Sequence, residues 1–159
     1  SSLVTGVQTC ALPILNLECP LTNDFSQKIN KSGPHLHASE SMVKVLEGIS
    51  LAGLANNHVY DYGKNGIQNT LKTLMNNGIE HLGAGMCREE ANKPFFKDIG
   101  NVTIGLIAVA EREFNIDENE ECGAAILETE QIYYQVKEVK SSCDILIVTI
   151  HGGDRKSVV

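Results

Sequence analysis

An α/β fold whose sheet is not wholly parallel is predicted by three features of this sequence. Short apolar runs suited to buried strands alternate with segments whose apolar residues recur at helical spacing. Two of those runs, residues 95–99 and 102–110, are joined only by Gly100-Asn101, a hairpin-type connection that makes the pair antiparallel. The composition of the 159 residues, 42% hydrophobic and 21% charged, is that of a globular domain or a piece of one.

The elements follow in order. Residues 15–17 read as the tail of a strand that runs into a polar, proline-containing turn at 18–24. Lys31-Ser32-Gly33-Pro34 is a loop, since proline disfavours helix in the residue before it. Ser39 is placed to cap a short helix reaching about Gly48, with Val43 and Leu46 facing inward. Residues 49–55 are a compact apolar run, a buried strand, and 56–63 form the loop at its carboxyl end. Ile67, Leu71, Leu74 and Met75 then repeat at helical spacing, and Gly78 supplies the stop. A short strand at 79–82 leads into a Gly83-Ala84-Gly85 turn, and the hairpin follows. The acidic stretch 111–121 reads as a solvated loop. Thr129 is placed to cap a helix with Ile132, Val136 and Val139 on one face. Asp144 opens a last strand, 145–150, that ends at His151-Gly152-Gly153.

Thirteen basic against twenty acidic residues, a formal charge of -7, argue against sequence-independent nucleic-acid binding. An anionic substrate remains compatible, because a bound cation reverses the local field. No apolar stretch approaches the roughly 18 residues a spanning helix needs. Five cysteines without a CxxC pair fit reduced thiols rather than a disulfide framework or a zinc site. The first residues lack a basic n-region, so a cytoplasmic location is the expectation. Both ends look foreign: residues 1–14 and 154–159 resemble peptides translated from sequencing-adapter DNA. Residues 15–153 are therefore expected to carry the domain.

Polar residues collect where apolar strands end: Asn16 with Glu18, Asn56-Asn57-His58 with Asp61, and His151. In open α/β sheets the carboxyl ends of strands form the ligand crevice. A carboxylate, an amide oxygen and imidazoles make an O/N donor set suited to Mn, Fe or Zn. Such a site activates water and polarises phosphoryl or acyl oxygens, and a nearby histidine moves protons close to neutral pH. Taken singly, each group also has a plain reading. The asparagines suit a turn, His151 suits a strand-end histidine bonded to backbone, and Glu18 suits a solvated loop. Their common placement favours the site.

At these residues the sequence resembles the bacterial CapA family, the poly-gamma-glutamate capsule synthesis proteins. The resemblance is carried by Asn16-Leu17-Glu18 with Pro20-Leu21-Thr22, by Lys31-Ser32-Gly33-Pro34, and by the run from Leu54 through Asn56-Asn57-His58 and Asp61 to Gly63. Gly83-Ala84-Gly85, Ala91 with Pro94, Glu111 with Glu113, and His151-Gly152-Gly153 follow in the family's order, covering 15–153. The resemblance implies a partial calcineurin-like metallophosphatase fold, a β-sandwich flanked by helices, without its first strand and C-terminal part.

Residue by residue, the resemblance implies that Asn57 is the amide ligand of the Gly-Asn-His motif and that His58 is the catalytic histidine, which protonates a leaving oxygen. Glu18 stands for the bridging carboxylate and His151 for a later histidine ligand. Asp61 would orient His58, with Asn16, Asn56 and Lys31 supporting the site or facing substrate. A solvent-facing lysine is the plainer reading of Lys31, and surface histidines are the plainer reading of His35 and His37. The cofactor implied is a pair of divalent ions of the Mn, Fe or Zn class. The function implied is metal-dependent hydrolysis of a phosphoester or related bond in capsule metabolism, on a small or polymeric anion. A non-catalytic component that binds polymer or another capsule-synthesis protein through the same pocket is the alternative. The family's Gly-Asp strand and a later histidine loop have no counterpart here, and Asp154-Arg155-Lys156 departs from the pattern after His-Gly-Gly. The fragment by itself is therefore expected to be inactive.

Overall fold

The computed structural model describes residues 12–119 and 121–152; the terminal strings 1–11 and 153–159 lie outside them. Three short parallel strands form the first sheet: β1 (Ile14–Asn16), β2 (Leu51–Gly53) and β3 (Glu80–Leu82), in the order β1-β2-β3. Parallel neighbours require crossovers. The first passes through the 24–38 loop and a 3-10 helix (Glu40–Leu46), the second through α1 (Gly63–Asn76). Ile14 pairs with Leu51, and the Pro13 carbonyl accepts from Ser50 N, so β1 begins one residue before the expected start.

The second three-stranded sheet joins β5 (Phe95–Ile99), β6 (Val102–Ala110) and β8 (Ile145–His151) in the order β5-β6-β8. The β5–β6 hairpin is antiparallel and turns at Gly100, whose φ is 63°; β6 and β8 run parallel. A mixed sheet is thus observed, as the hairpin requires. β6 is its buried centre. Leu106, Ala108 and Ala110 face the main core with Leu51, Leu54 and Ile67. Ile107 and Val109 face the opposite side, where they pack with Val139 of α3 (Thr129–Ser141). That alternation is the two-residue period of a strand covered on both faces. β8 lies at the edge and leaves Ile145, Ile147, Val148 and Ile150 exposed.

Several local expectations are corrected. The segment after Ser39 is a 3-10 helix, and Ser39 Oγ pairs with Ser41 Oγ at 3.1 Å instead of capping it. Glu128, not Thr129, is the residue that precedes α3. Met75 lies on solvent: eight residues on from Ile67 is about 80° around the helix, off the buried stripe. Gly83-Ala84-Gly85 is not only a turn, because β4 (Ala84–Gly85) pairs antiparallel with β7 (Gly123–Ala124). A one-turn helix, α2 (Arg88–Ala91), follows β4. The 111–121 stretch is not wholly solvated. Asn115 is fully buried, with Oδ1 accepting from Glu113 N and Nδ2 donating to the Glu111 carbonyl.

Candidate functional site

The polar groups singled out in the sequence meet at the carboxyl ends of β1, β2 and β8. Leu17 N donates to the Gly53 carbonyl, which carries the 17–18 segment alongside the segment leaving β2. Asn56, fully buried, then ties the two together. Its Nδ2 donates to the Leu17 carbonyl at 2.9 Å and to Asn16 Oδ1 at 3.5 Å, while its Oδ1 accepts from His58 N at 3.0 Å. The plain reading of Asn56 as a turn residue is thus half of its role. The side chain also holds the backbone beside Glu18 against the backbone beside His58.

His151, the last residue of β8, completes the group from the second sheet. Its Nε2 lies 3.1 Å from Asn57 Oδ1 and 3.8 Å from Glu18 Oε1. Ligand atoms about 2.0–2.2 Å from a divalent ion at tetrahedral angles sit about 3.4 Å apart, so these separations match a shared ion. The chemistry of the set also fits: one carboxylate, one amide oxygen and one imidazole nitrogen, with half of the Glu18 side chain open to solvent. Among the described residues no three or more His, Cys, Asp and Glu side chains converge, so the amide is what completes the trio. Cys19 stands next to Glu18. Burial, with Glu18 and Asp61 behind it, pushes its thiol above the ordinary range, so it is no ready thiolate ligand.

Beside this trio lies a second, drier group. Asp61 is fully buried; its Oδ2 is 2.8 Å from His58 Nδ1 and accepts from Leu36 N at 2.7 Å. Its Oδ1 accepts from Lys31 Nζ, which also lies 3.2 Å from His58 Nδ1. The Lys31 side chain is 4% exposed, so the solvent-facing reading of this lysine is corrected to a buried ion pair. The loop that carries it is pinned from both ends. Ile29 N donates to the Asp61 carbonyl, and the Gln27 side chain accepts from Asn65 N. The two histidines of the loop take structural places. His35 Nε2 meets the Ile29 carbonyl at 2.8 Å; His37 Nδ1 meets Tyr62 OH at 3.2 Å and packs edge-on to Phe25.

One neighbour was hidden by the solvated-loop reading. Glu111 N donates to the His151 carbonyl, and a Cβ on Gly152 would lie 3.2 Å from the Glu111 carboxyl carbon. Its carboxylate therefore stands beside the end of β8, and its place in the family's order was the only signal for it.

Comparison with known proteins gives the family and the fold. The profile described as bacterial capsule synthesis protein PGA_cap matches residues 4–158. The PGA biosynthesis protein CapA of Bacillus subtilis (strain 168) is 30% identical over 144 residues, covering 87% of this chain and 38% of that protein. The capsule biosynthesis protein CapA of Bacillus anthracis is 23% identical over 149 residues, covering 87% of this chain and 36% of that protein. The chain thus spans well under half the length of these relatives. Among solved structures, a Staphylococcus aureus protein described as a 5'-nucleotidase, in complex with alpha-ketoglutarate, superposes with a TM-score of 0.54. It is 22% identical and covers 74% of this chain and 24% of that one, a likeness that establishes the calcineurin-like phosphoesterase fold.

Proposed function

The chain belongs to the bacterial capsule synthesis family PGA_cap, and from that membership together with the strand-end geometry we propose that it carries part of a metal-dependent phosphoesterase-type site. The observation that carries the reading is the meeting of Glu18 and Asn57 within 3.8 Å of the His151 ring nitrogen, beyond the ends of β1 and β2 and at the end of β8. These three residues would hold a divalent cation of the Mn, Fe or Zn class; the second ion of a pair would draw on ligands beyond the described residues. When bound, such an ion supplies Lewis-acid polarisation of a phosphoryl or acyl oxygen.

The chain's own residues do the rest. His58 takes up a proton from water at Nε2 and passes it to the leaving oxygen, while the Nδ1 proton stays in its hydrogen bond to Asp61. Asp61 holds the ring and balances the imidazolium that forms when the ring takes up a proton. Asn56 keeps the His58 backbone in register with Glu18. The substrate is an anion of the capsule or poly-gamma-glutamate pathway, small or polymeric. A second reading, a non-catalytic module that binds polymer or another capsule-synthesis protein, is favoured by one observation. Among the described residues the donor set contains a single carboxylate and a single imidazole, thin for a hydrolytic centre.

Turnover of phosphomonoesters by the full-length protein separates the two. With Mn added, hydrolysis should fall about 100-fold or more in His58→Ala while bound metal is unchanged. Wild-type protein that binds metal yet never exceeds the protein-free blank would overturn the hydrolase reading.

A further inference from the structure

Asp61 has both carboxylate oxygens engaged in a fully buried position. One faces Lys31; the other faces Leu36 N and His58 Nδ1. Lys31 and Leu36 both come from the irregular 24–38 loop, so the orientation of the carboxylate is imposed from outside the segment that carries the histidine. The contact of His58 Nδ1 with Lys31 Nζ at 3.2 Å then decides the ring's proton. A single ring nitrogen cannot donate to Asp61 and accept from Lys31 at once. An ionised carboxylate offers only lone pairs, so a bare Nδ1 held 2.8 Å from Oδ2 would set lone pair against lone pair. The neutral ring therefore keeps its proton on Nδ1, and Lys31 gives its hydrogen bond to Oδ1 instead.

We propose that Lys31 is a positioning residue for His58: its ammonium locks the Asp61 carboxylate in the orientation that keeps the neutral imidazole's proton on Nδ1 and leaves Nε2 bare. Lys31 acts through Asp61 and not on substrate. Without the ammonium the buried carboxylate would keep only the Leu36 N–H besides the ring, and would be free to turn about that one bond. Once the carboxylate has lost its anchor at Oδ1 and turns away from the ring, Nδ1 has no fixed acceptor and the imidazole samples both tautomers. This inference rests on the reading of His58 as the proton-transfer residue, because a bare Nε2 is the atom that must gain and give up that proton.

The test needs neither substrate nor metal. The full chain, with 15N-labelled histidine, gives ring nitrogen shifts and two-bond correlations that report each tautomer, with His58 assigned by its loss in His58→Gln. Wild type should show His58 protonated at Nδ1. Lys31→Met should raise the Nε2–H fraction at least threefold, Lys31→Arg should restore the wild-type pattern, and Lys31→Met should add nothing in an Asp61→Asn background. A wild-type ring protonated at Nε2, or a folded Lys31→Met with an unchanged tautomer, overturns the proposal. If Lys31→Met does not fold, the wild-type ammonium decides. A Lys31 Nζ signal protected from exchange and coupled to the Asp61 carboxyl carbon supports it, and a freely exchanging one overturns it. Loss of the tautomer effect would leave the hydrolase reading standing, and absence of turnover would leave the tautomer result standing.

Discussion

The imidazole of His151 and the amide of Asn57, 94 positions apart in the chain, meet at 3.1 Å where the two sheets end side by side. The pair joins β8 of one sheet to the loop after β2 of the other. As two of the three proposed donors, both side chains set the divalent-ion affinity. Calorimetric titration of the chain with Mn or Zn should show affinity falling at least tenfold in Asn57→Ala and in His151→Ala. His58→Ala should bind as wild type. Equal loss in all three variants would mean that the loops, not the donors, are being measured.

Asn56 predicts a stability effect of a different origin. Its amide bonds both the Leu17 carbonyl and the His58 N–H. Asn56→Ala strands both buried backbone groups and should cost about 2–4 kcal/mol in urea unfolding. Asn56→Asp keeps an acceptor for His58 N but turns a carboxylate oxygen toward the Leu17 carbonyl, so it should be no milder than alanine. A nearly neutral aspartate variant would show that this side chain does not hold the two segments together.

Much of the frame was legible because it rests on local pattern. The apolar runs at β2 and β6, the helical spacing of Ile67, Leu71 and Leu74, and the Gly100 turn each carry their own periodicity or turn chemistry. The ordered family motifs then marked Glu18, Asn57 and His151, and these three do lie together. What stayed hidden depends on contacts between distant segments. Nothing around Lys31 distinguishes a buried lysine from a solvated one, because its partner is Asp61, 30 positions later. Asn115 sits among acidic residues that mask its burial. Two-residue strands such as β4 and β7 are too short to show any period.

His81 should make the fold acid-sensitive. Burial holds its imidazole below the ordinary value of 6.5; Glu80 and Glu90 pull the other way, and Lys93 adds to the lowering. The unfolded chain therefore binds a proton before the folded one does as pH falls. Stability is fully present above the ordinary histidine value and is lost as pH drops from there through the lowered folded value. The midpoint of urea unfolding should decline between about pH 7.5 and 5.5, and His81→Gln should flatten that slope. An equally steep decline in the glutamine variant would assign the acid sensitivity to other groups.

Gly83 and Gly78 both adopt left-handed backbone, with φ of 87° and 70°, yet their surroundings differ. A Cβ on Gly78 meets nothing within 4 Å, whereas one on Gly83 would fall 2.7 Å from Ala55 Cβ and 2.9 Å from Ala55 N. Gly83 also offers its carbonyl to Ala125 N, so the strand end is held from that side and has little room to withdraw. Gly78→Ala should cost only the backbone term, about 1–2 kcal/mol. Gly83→Ala adds overpacking against the segment leading to Asn56 and should cost about 2–4 kcal/mol in total. Because Ala55 immediately precedes Asn56-Asn57-His58, the same variant should also weaken divalent-ion binding, which Gly78→Ala should leave unchanged. Urea unfolding and cation titration of the two variants side by side check both parts, and equal costs at the two glycines would refute the close approach at Ala55.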